Sequence, residues 1–334
     1  MEEPTFADYV TLIFTLFDRF VQTCGRELDW DSDRYDYSHK TLIVFFMMMQ
    51  QRRKTRFKAQ WRWLKTHPDE SRRLGFETVA DRSTLSRRYK ALYPVLQDFI
   101  AFVGQYAEDL DERFTSRDLS EDKSLFKAQG PVWHQSDRRA GRIPSGLRNL
   151  DTDATWSKSG YHGWVYGYSV HLTCNQAAFP KLAQVETATY SEAQALAAKE
   201  TLLLHVLRPD TVSGDNSYTK ARRIRQWAKQ GVVLLSPAFK WVTGRYAQAY
   251  HRYIQQPVNV ALLKSRGTSV EPFFDLLAQV VGATDNHKQL PVQRLGNVRS
   301  CLALGILTIQ IAMIANSIWN LPLRSISQIE AAFT

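Results

Sequence analysis

The order of extended and helical segments between residues 118 and 235 is the feature that most constrains how this chain can fold. Residues 163–175 are rich in aromatic and β-branched side chains, which is the composition of a β-strand. The neighbouring runs complete a series of three strands followed by alternating helices and strands: strands 118–128, 163–175 and 182–189, helix 191–207, strand 211–214, helix 219–230 and strand 232–235. This series predicts an α/β domain built on a mixed sheet.

That order is the order of a ribonuclease-H-like α/β fold, in which the first and fourth strands lie side by side. Asp122 lies on the first predicted strand and Asp215 ends the fourth, so the two side chains should face each other. Ligands of open α/β sheets bind at the carboxyl ends of strands, which suits this position. We therefore predict a ribonuclease-H-like mixed-sheet catalytic domain at 116–290, an all-helical region at 1–115 and C-terminal helices at 291–334 packed on the catalytic domain.

Three acidic residues, each in its own local context, are the candidate catalytic residues: Asp122, Asp215 and Glu271. Carboxylates at close range cannot all stay ionised unless a cation joins them. Oxygen ligands of this kind suit Mg²⁺ or Mn²⁺. Two such ions about 4 Å apart are a known device for in-line displacement at phosphorus. We expect the three acids to be both the catalytic residues and the ligands of two Mg²⁺ or Mn²⁺ ions.

The charge of the chain indicates what it binds. It carries 43 lysines and arginines against 33 aspartates and glutamates, for a formal net charge of +10. Such an excess favours phosphate backbones or anionic membranes as partners, the alternative being a solvated basic surface. The longest apolar stretch, 301–319, contains Gln310 and Asn316, so we expect a buried helix and no membrane span. Three cysteines without a C-x-x-C motif fit a reducing, cytoplasmic compartment.

Basic clusters on both halves of the chain are predicted to contact DNA. Residues 5–112 are predicted to be helical, and segment 72–92 has the size of a helix-turn-helix. Phosphate contact is the functional interpretation of the clusters, and a solvated helix face is the alternative. The predicted DNA-contacting residues are Arg52, Arg53, Lys54, Arg56, Arg87, Arg88, Lys127, Arg138, Arg139, Arg142, Lys158, Lys220, Arg222, Arg223 and Arg266. Trp133 and Trp156 are candidates to stack on an unpaired base, unless they pack in the core.

Three sequence blocks, in order and separated by gaps of 93 and 56 residues between their acids, carry a family resemblance. They are Asp-Lys-Ser-Leu-Phe-Lys-Ala at 122–128, Gly-Asp-Asn-Ser-Tyr at 214–218 and Arg-Gly-Thr-Ser-Val-Glu-Pro-Phe-Phe at 266–274. Over roughly residues 118–320 the chain resembles bacterial insertion-sequence transposases of the DDE class. The resemblance implies metal-dependent cleavage at the ends of a mobile element and strand transfer into target DNA. It also implies double-stranded DNA as the partner, recognition of terminal inverted repeats by the N-terminal helices, a homodimer or higher assembly, and a location at the bacterial nucleoid.

The chain departs from the family pattern around Glu271. Four residues separate Arg266 from Glu271 where the family often has three, and Ala278 stands where the family has a lysine. Pro272 disfavours helical geometry at the preceding residue, so we expect Glu271 at the entry of its helix. Asp275, one turn further on, is a fallback for this third acid.

Several alternatives remain open at the level of sequence. Asp153, with Asp151 two residues before it, competes with Asp122 for the place of the first acid. Tyr218 and His171 are secondary candidates for the site, with packing as their ordinary role. Segment 239–265 is expected to be irregular. In place of a transposase, the chain could be a metal-dependent nuclease without strand transfer or a domesticated, non-catalytic DNA-binding protein.

Overall fold

A mixed β-sheet forms the centre of the molecule. The computed structural model describes residues 3–28, 36–160, 163–218, 220–237 and 245–334. Within this part of the chain six strands form one sheet: β1 (Asp118–Lys127), β2 (Thr155–Ser159), β3 (Gly163–Asn175), β4 (Pro180–Thr187), β5 (Thr211–Ser213) and β6 (Val233–Leu235).

The pairing of the strands matches the predicted neighbourhood of the first and fourth predicted strands. The sheet order is β2-β3-β1-β5-β6, and β4 also pairs with β3. β3 runs antiparallel to β1, β2 and β4, whereas β5 runs parallel to both β1 and β6. Because β3 has 13 residues, β2 pairs with its first part and β4 with its second. The predicted mixed α/β sheet is therefore confirmed, with the fourth predicted strand, β5, beside β1.

Helices surround the sheet and account for most of the remaining described residues. They are α1 (Phe6–Leu28), α2 (His39–Gln51), α3 (Phe57–Thr66), α4 (Pro68–Arg73), α5 (Arg82–Ala91), α6 (Tyr93–Tyr106), α7 (Gln135–Arg139), α8 (Glu192–Thr201), α9 (Ala221–Ala228), α10 (Arg245–Ile254), α11 (Pro257–Ser265), α12 (Val270–Val281), α13 (Leu295–Ile318) and α14 (Ser327–Phe333). A π-helical turn, Leu202–Leu207, continues α8.

Local sequence explains where two of these helices begin. The carboxylate of Asp81 accepts hydrogen bonds from the backbone amides of Ser83 and Thr84 at the start of α5. Ser191 and Gln194 form a reciprocal capping box at the start of α8. Such bonds satisfy amides that have no partner within the first helical turn.

The N-terminal helices, the sheet and the C-terminal helices share one hydrophobic core. The core runs from Tyr9 on α1 to Phe333 on α14 and includes Phe126 of β1. α13 lies within it and is long and apolar enough to cross a membrane by length and composition. Yet 89% of its most apolar window is buried inside the protein. The prediction of a buried helix over 301–319 is thus confirmed.

Two elements differ from the sequence expectation, and a third segment can be compared with it. The prediction that segment 239–265 is irregular is wrong, because α10 and α11 occupy most of 245–265. Residues 239–244 of this segment lie outside the described residues. β2 is a strand that was not predicted, formed by polar residues that pair with β3. Segment 72–92 holds the last residues of α4 and all of α5, which packs against α3.

Candidate functional site

Asp122 and Asp215 are brought near each other by two paired strands. β1 and β5 pair in parallel, with Asp118 opposite Thr211 and Ser120 opposite Ser213. Asp122 and Asp215 each come two residues later, and two residues is the repeat after which side chains return to the same face of a strand. The register fixes the position of Asp122 on β1, whereas Asp215 follows in the turn just beyond the carboxyl end of β5, close enough for its charge to act on Asp122.

Three buried serines bring the start of α12 to the same place. The Ser120 hydroxyl lies 3.2 Å from the Ser213 hydroxyl, and the Ser269 hydroxyl donates to Ser120 at 3.1 Å. Ser269 immediately precedes α12, and Glu271 lies in the first turn of that helix. Pro272 fits there because proline is tolerated in the first turn of a helix. The prediction that Glu271 lies at the helix entry is confirmed.

Asp122 lies among the charges of this cluster. Its side chain is 19% exposed, and its Oδ1 accepts the backbone N–H of Lys123 at 2.8 Å and lies 3.3 Å from the guanidinium of Arg266. Burial raises the pKa of Asp122 to about 6. Arg266 and the Lys123 amide act against this rise, whereas the charges of Asp215 and Glu271 add to it. The three acids thus share one electrostatic neighbourhood.

The donor chemistry of the three acids suits the expected ions, but their side chains are not gathered into a closed set of ligands. Carboxylate oxygens are the donors that Mg²⁺ and Mn²⁺ prefer. Across the described ranges, no three His, Cys, Asp or Glu side chains lie close enough together to hold a metal ion. Arg266 supplies a positive charge beside Asp122, and its own Nε is buried without a hydrogen-bond partner among the described residues. A divalent ion at this place would therefore compete with Arg266 for Asp122.

Asp151 and Asp153 hold the start of α13. One carboxylate oxygen of Asp151 accepts the Tyr168 hydroxyl at 2.8 Å and the Arg294 backbone amide at 2.9 Å. A carboxylate oxygen of Asp153 accepts the amide of Leu295, the first residue of α13, at 3.0 Å. These bonds satisfy amides at a helix start. The role in α13 favours Asp122 over Asp153 as the first acid of the predicted set.

A buried ion pair on the opposite face of β1 was not anticipated from the sequence. The side chains of Glu121 and Lys199 are 0% and 4% exposed and form an ion pair. Thr173 donates to Glu121, and Lys199 donates to the Thr173 hydroxyl at 3.0 Å. Burial raises the pKa of Glu121 and lowers that of Lys199, and each partner opposes the shift of the other. The two residues are 78 positions apart, so no local pattern links them.

The secondary candidates His171 and Tyr218 are both buried. His171 lies 3.2 Å from the Ser169 hydroxyl, and burial, aided by nearby lysines, holds the pKa of its imidazole far below the ordinary value. His171 is therefore a neutral, packed histidine. The hydroxyl of Tyr218 has no hydrogen-bond partner among the described residues, and burial raises its pKa, as do several nearby acids that include Asp122. The Tyr218 ring packs beneath Gly214, where an added Cβ would approach it to 2.9 Å.

Several of the predicted DNA-contacting residues also bond to other parts of the fold. The guanidinium of Arg53 donates to the carbonyls of Gln279 and Val280, at 2.9 and 2.8 Å, at the end of α12. Three others donate to backbone carbonyls: Arg52 to Phe333, Arg88 to Tyr37, and Arg223 to Tyr218 and Ala193. Three more form ion pairs: Lys127 with Asp285, Arg142 with Asp137, and Arg266 with Asp122.

The remaining predicted contacts reach solvent. Arg56, Arg87, Arg139, Lys158, Lys220 and Arg222 are exposed, and Lys54 and Arg138 are half-buried. These side chains remain accessible to a phosphate backbone, which makes them the better candidates for DNA contact.

No family model, curated protein or solved structure matches the chain in the three comparisons made with known proteins. Function must therefore be inferred from the residues and their geometry.

Proposed function

We propose that the protein is a DDE-type DNA transposase with a ribonuclease-H-like catalytic domain, which cleaves DNA at the ends of a mobile element and joins the ends to target DNA. The observation that carries the proposal is the convergence of three acids from distant parts of the sequence. Pairing of β1 with β5 brings the turn that carries Asp215 near Asp122, and the Ser269–Ser120 hydrogen bond holds the start of the Glu271 helix against β1. Antiparallel β1, β3 and β4 beside parallel β5 and β6 also suit a ribonuclease-H-like sheet.

The proposed chemistry divides between acidic and basic side chains. Asp122, Asp215 and Glu271 would hold two Mg²⁺ or Mn²⁺ ions. When bound, such ions would supply the charge that activates an attacking hydroxyl and stabilises the leaving oxygen. Lys220 and Arg222 follow Asp215 at the start of α9 and are exposed, and in this proposal they would bind the phosphates next to the cleaved bond.

The proposal extends to partners. Joining two element ends requires both to be held at once, so we expect a homodimer on double-stranded DNA. Arg56, just before α3, and Arg87, on α5, are exposed and in this proposal would hold the terminal inverted repeats. A cytoplasmic location, at the nucleoid, is part of the same proposal.

One observation favours a second candidate, a DNA-binding protein without catalysis. The Arg266 guanidinium already lies 3.3 Å from Asp122 and compensates its charge. A chain that no longer bound ions would keep such a pair as a structural feature. The two candidates differ in a single measurable property, which is cleavage that depends on a divalent ion and on Asp122.

The test uses DNA carrying the sequences that flank the gene, with Mg²⁺ or Mn²⁺, and compares wild type with Asp122→Asn, Glu271→Gln and Asp153→Asn. Asp275→Asn is the matched control, because Asp275 lies on α12 one turn beyond Glu271 and its side chain is 81% exposed. We expect wild type and the control to cut, and Asp122→Asn and Glu271→Gln to bind without cutting. Binding without cutting by wild type supports the second candidate. Cutting with no joining of the ends supports a nuclease without strand transfer. Loss of cutting only in Asp153→Asn overturns the assignment of Asp122.

A further inference from the structure

The hairpin of β2 and β3 carries an aromatic and basic surface. Trp156 pairs directly with Tyr166, and Lys158 pairs directly with Trp164. Directly paired residues of neighbouring strands project from the same side of a sheet, so all four side chains share one face. Trp164 is 60% exposed, the most exposed large aromatic side chain in the described part of the chain. Tyr166 is buried and Trp156 half-buried, so Trp164 and the exposed Lys158 are the members of this face that reach solvent.

That face is continuous with the face of Asp122. Asp122 pairs directly with Leu172 on β3, and alternate residues from Leu172 back to Trp164 lie on the same side of the sheet. Along β3, Leu172 and Tyr166 are about 20 Å apart, from a rise of about 3.3 Å per residue. Between them Tyr168, Val170 and Leu172 are fully buried in the core, so the hairpin surface and Asp122 share a sheet face without sharing an exposed surface.

Two indole hydrogen bonds fix a basic loop against the hairpin. The indole N–H of Trp156 donates to the carbonyl of Trp133 at 2.8 Å, and the indole N–H of Trp133 donates to the carbonyl of Arg142 at 2.9 Å. The bonds hold the short helix α7, with Arg138 and Arg139, next to Trp156. A cavity of about 290 Å³ results, lined by Gln135, Arg138, Arg139, Trp156 and Thr189.

The lining of this cavity has the chemistry of a nucleotide site. Two guanidinium groups suit a phosphate, an indole offers a flat apolar surface to a base, and an amide and a hydroxyl add hydrogen-bonding groups. No carboxylate lines the cavity to repel a phosphate. A base within a duplex has both faces covered by its neighbours, so only an unstacked base can lie on an indole.

We propose that this cavity binds one unpaired nucleotide of a DNA strand, with its phosphate at Arg138 and Arg139 and its base on Trp156, and that Trp164 stacks on the next unpaired base. The inference rests on the proposed function in one respect, that DNA is the substrate. It adds that the protein distinguishes DNA with an unpaired flank from a fully paired duplex.

The experiment measures binding of the full chain to three probes of one sequence: a paired duplex, the same duplex with an unpaired flap on one strand, and the single strand. Wild type should prefer the flap. Trp164→Ala should weaken flap binding by about 5- to 150-fold, the effect of one base–aromatic stack, and leave duplex binding unchanged. Trp164→Phe should restore part of the preference. The double variant Arg138→Ala, Arg139→Ala should weaken flap binding and reduce its dependence on salt.

Arg222→Ala is the control, because Arg222 is an exposed arginine on α9 and should weaken binding to all probes alike. Equal affinity of wild type for flap and duplex overturns the inference, and so does an equal effect of Trp164→Ala on all three probes. A flap preference without any cleavage leaves the inference standing and counts against the transposase. Cleavage without a flap preference supports the transposase and overturns the inference of an unpaired-nucleotide site. Failure to bind any probe overturns both the inference and the proposed function.

Discussion

Replacing the carboxyl group of Asp122 by an amide should make the folded protein more stable near neutral pH. The side chain is 19% exposed, and burial is the largest cause that raises its pKa from the ordinary 3.8 to about 6. The attraction of Arg266 opposes burial without cancelling it. Asp122 therefore destabilises the fold when it is ionised, and strongly shifted carboxyl groups of this kind are candidates for functional residues.

The size and the pH range of the effect follow from the two pKa values. A carboxyl group whose pKa is 3.8 in the unfolded chain and about 6 in the fold binds its proton more tightly when folded. This tighter proton binding stabilises the fold fully below pH 3.8, and the stabilisation is lost as the pH rises through 6. The loss amounts to about 3 kcal/mol once both states are ionised. The amide introduced by Asp122→Asn does not titrate. The free energy of unfolding of Asp122→Asn should therefore match that of wild type near pH 3.8 and exceed it by about 3 kcal/mol above pH 6.

Urea denaturation of wild type and Asp122→Asn, followed by circular dichroism at a series of pH values, measures this difference. Asp275→Asn is the control, since the side chain of Asp275 is 81% exposed and its pair with Lys288 should contribute little. Adding Mg²⁺ near pH 8 should stabilise wild type and not Asp122→Asn if the ion binds at Asp122. A difference between the two proteins that does not change with pH, or an Asp122→Asn variant less stable than wild type at the higher pH, would refute the reasoning.

Three further perturbations test the structure around the site, each by the urea midpoint. Lys199→Met should cost about 3–5 kcal/mol because it leaves Glu121 buried and unpaired, and adding Glu121→Leu should restore most of the loss. Gly167→Ala should cost about 1–3 kcal/mol or more, because its Cβ would overlap the Phe126 carbonyl, whereas Gly146→Ala, with no atom within 4 Å of the new Cβ, should be nearly neutral. Arg53→Ala should cost about 1–2 kcal/mol through the loss of two hydrogen bonds to the end of α12.

The fold was predictable where local composition and periodicity agree with the final structure. β3 is recognisable because aromatic and β-branched residues fill it. β2 was missed because Thr155–Ser159 is short and polar and becomes a strand only through its pairing with β3. The helices at 245–265 were missed in part because Pro257 resembles a breaker, although it occupies the first turn of α11, where proline is tolerated.

Only the part of the site that depends on the order of the strands was predictable from the sequence. The order of strands was enough to make Asp122 and Asp215 neighbours. It could not show that Asp153 holds the start of α13, because its partner Leu295 lies 142 residues later in the chain. Nor could it show that Arg53 donates two hydrogen bonds to the end of α12, since an arginine with and without such bonds look alike in sequence.

Glu121 and Asp122 show why the structure favours one acid over its neighbour. The two residues are adjacent on β1 and point to opposite faces, and burial raises the pKa of both. Glu121 is sealed in the protein, with one carboxylate oxygen bonded to Lys199 and the other to Thr173. Its charge is balanced within the fold and its side chain is fully buried, so Glu121 is not accessible to a ligand. Asp122 keeps part of its surface in solvent, and the other two proposed acids add to its negative field. An acid held in a field of like charge stays ionised only with a partner cation, so Asp122, unlike Glu121, can gain from binding one.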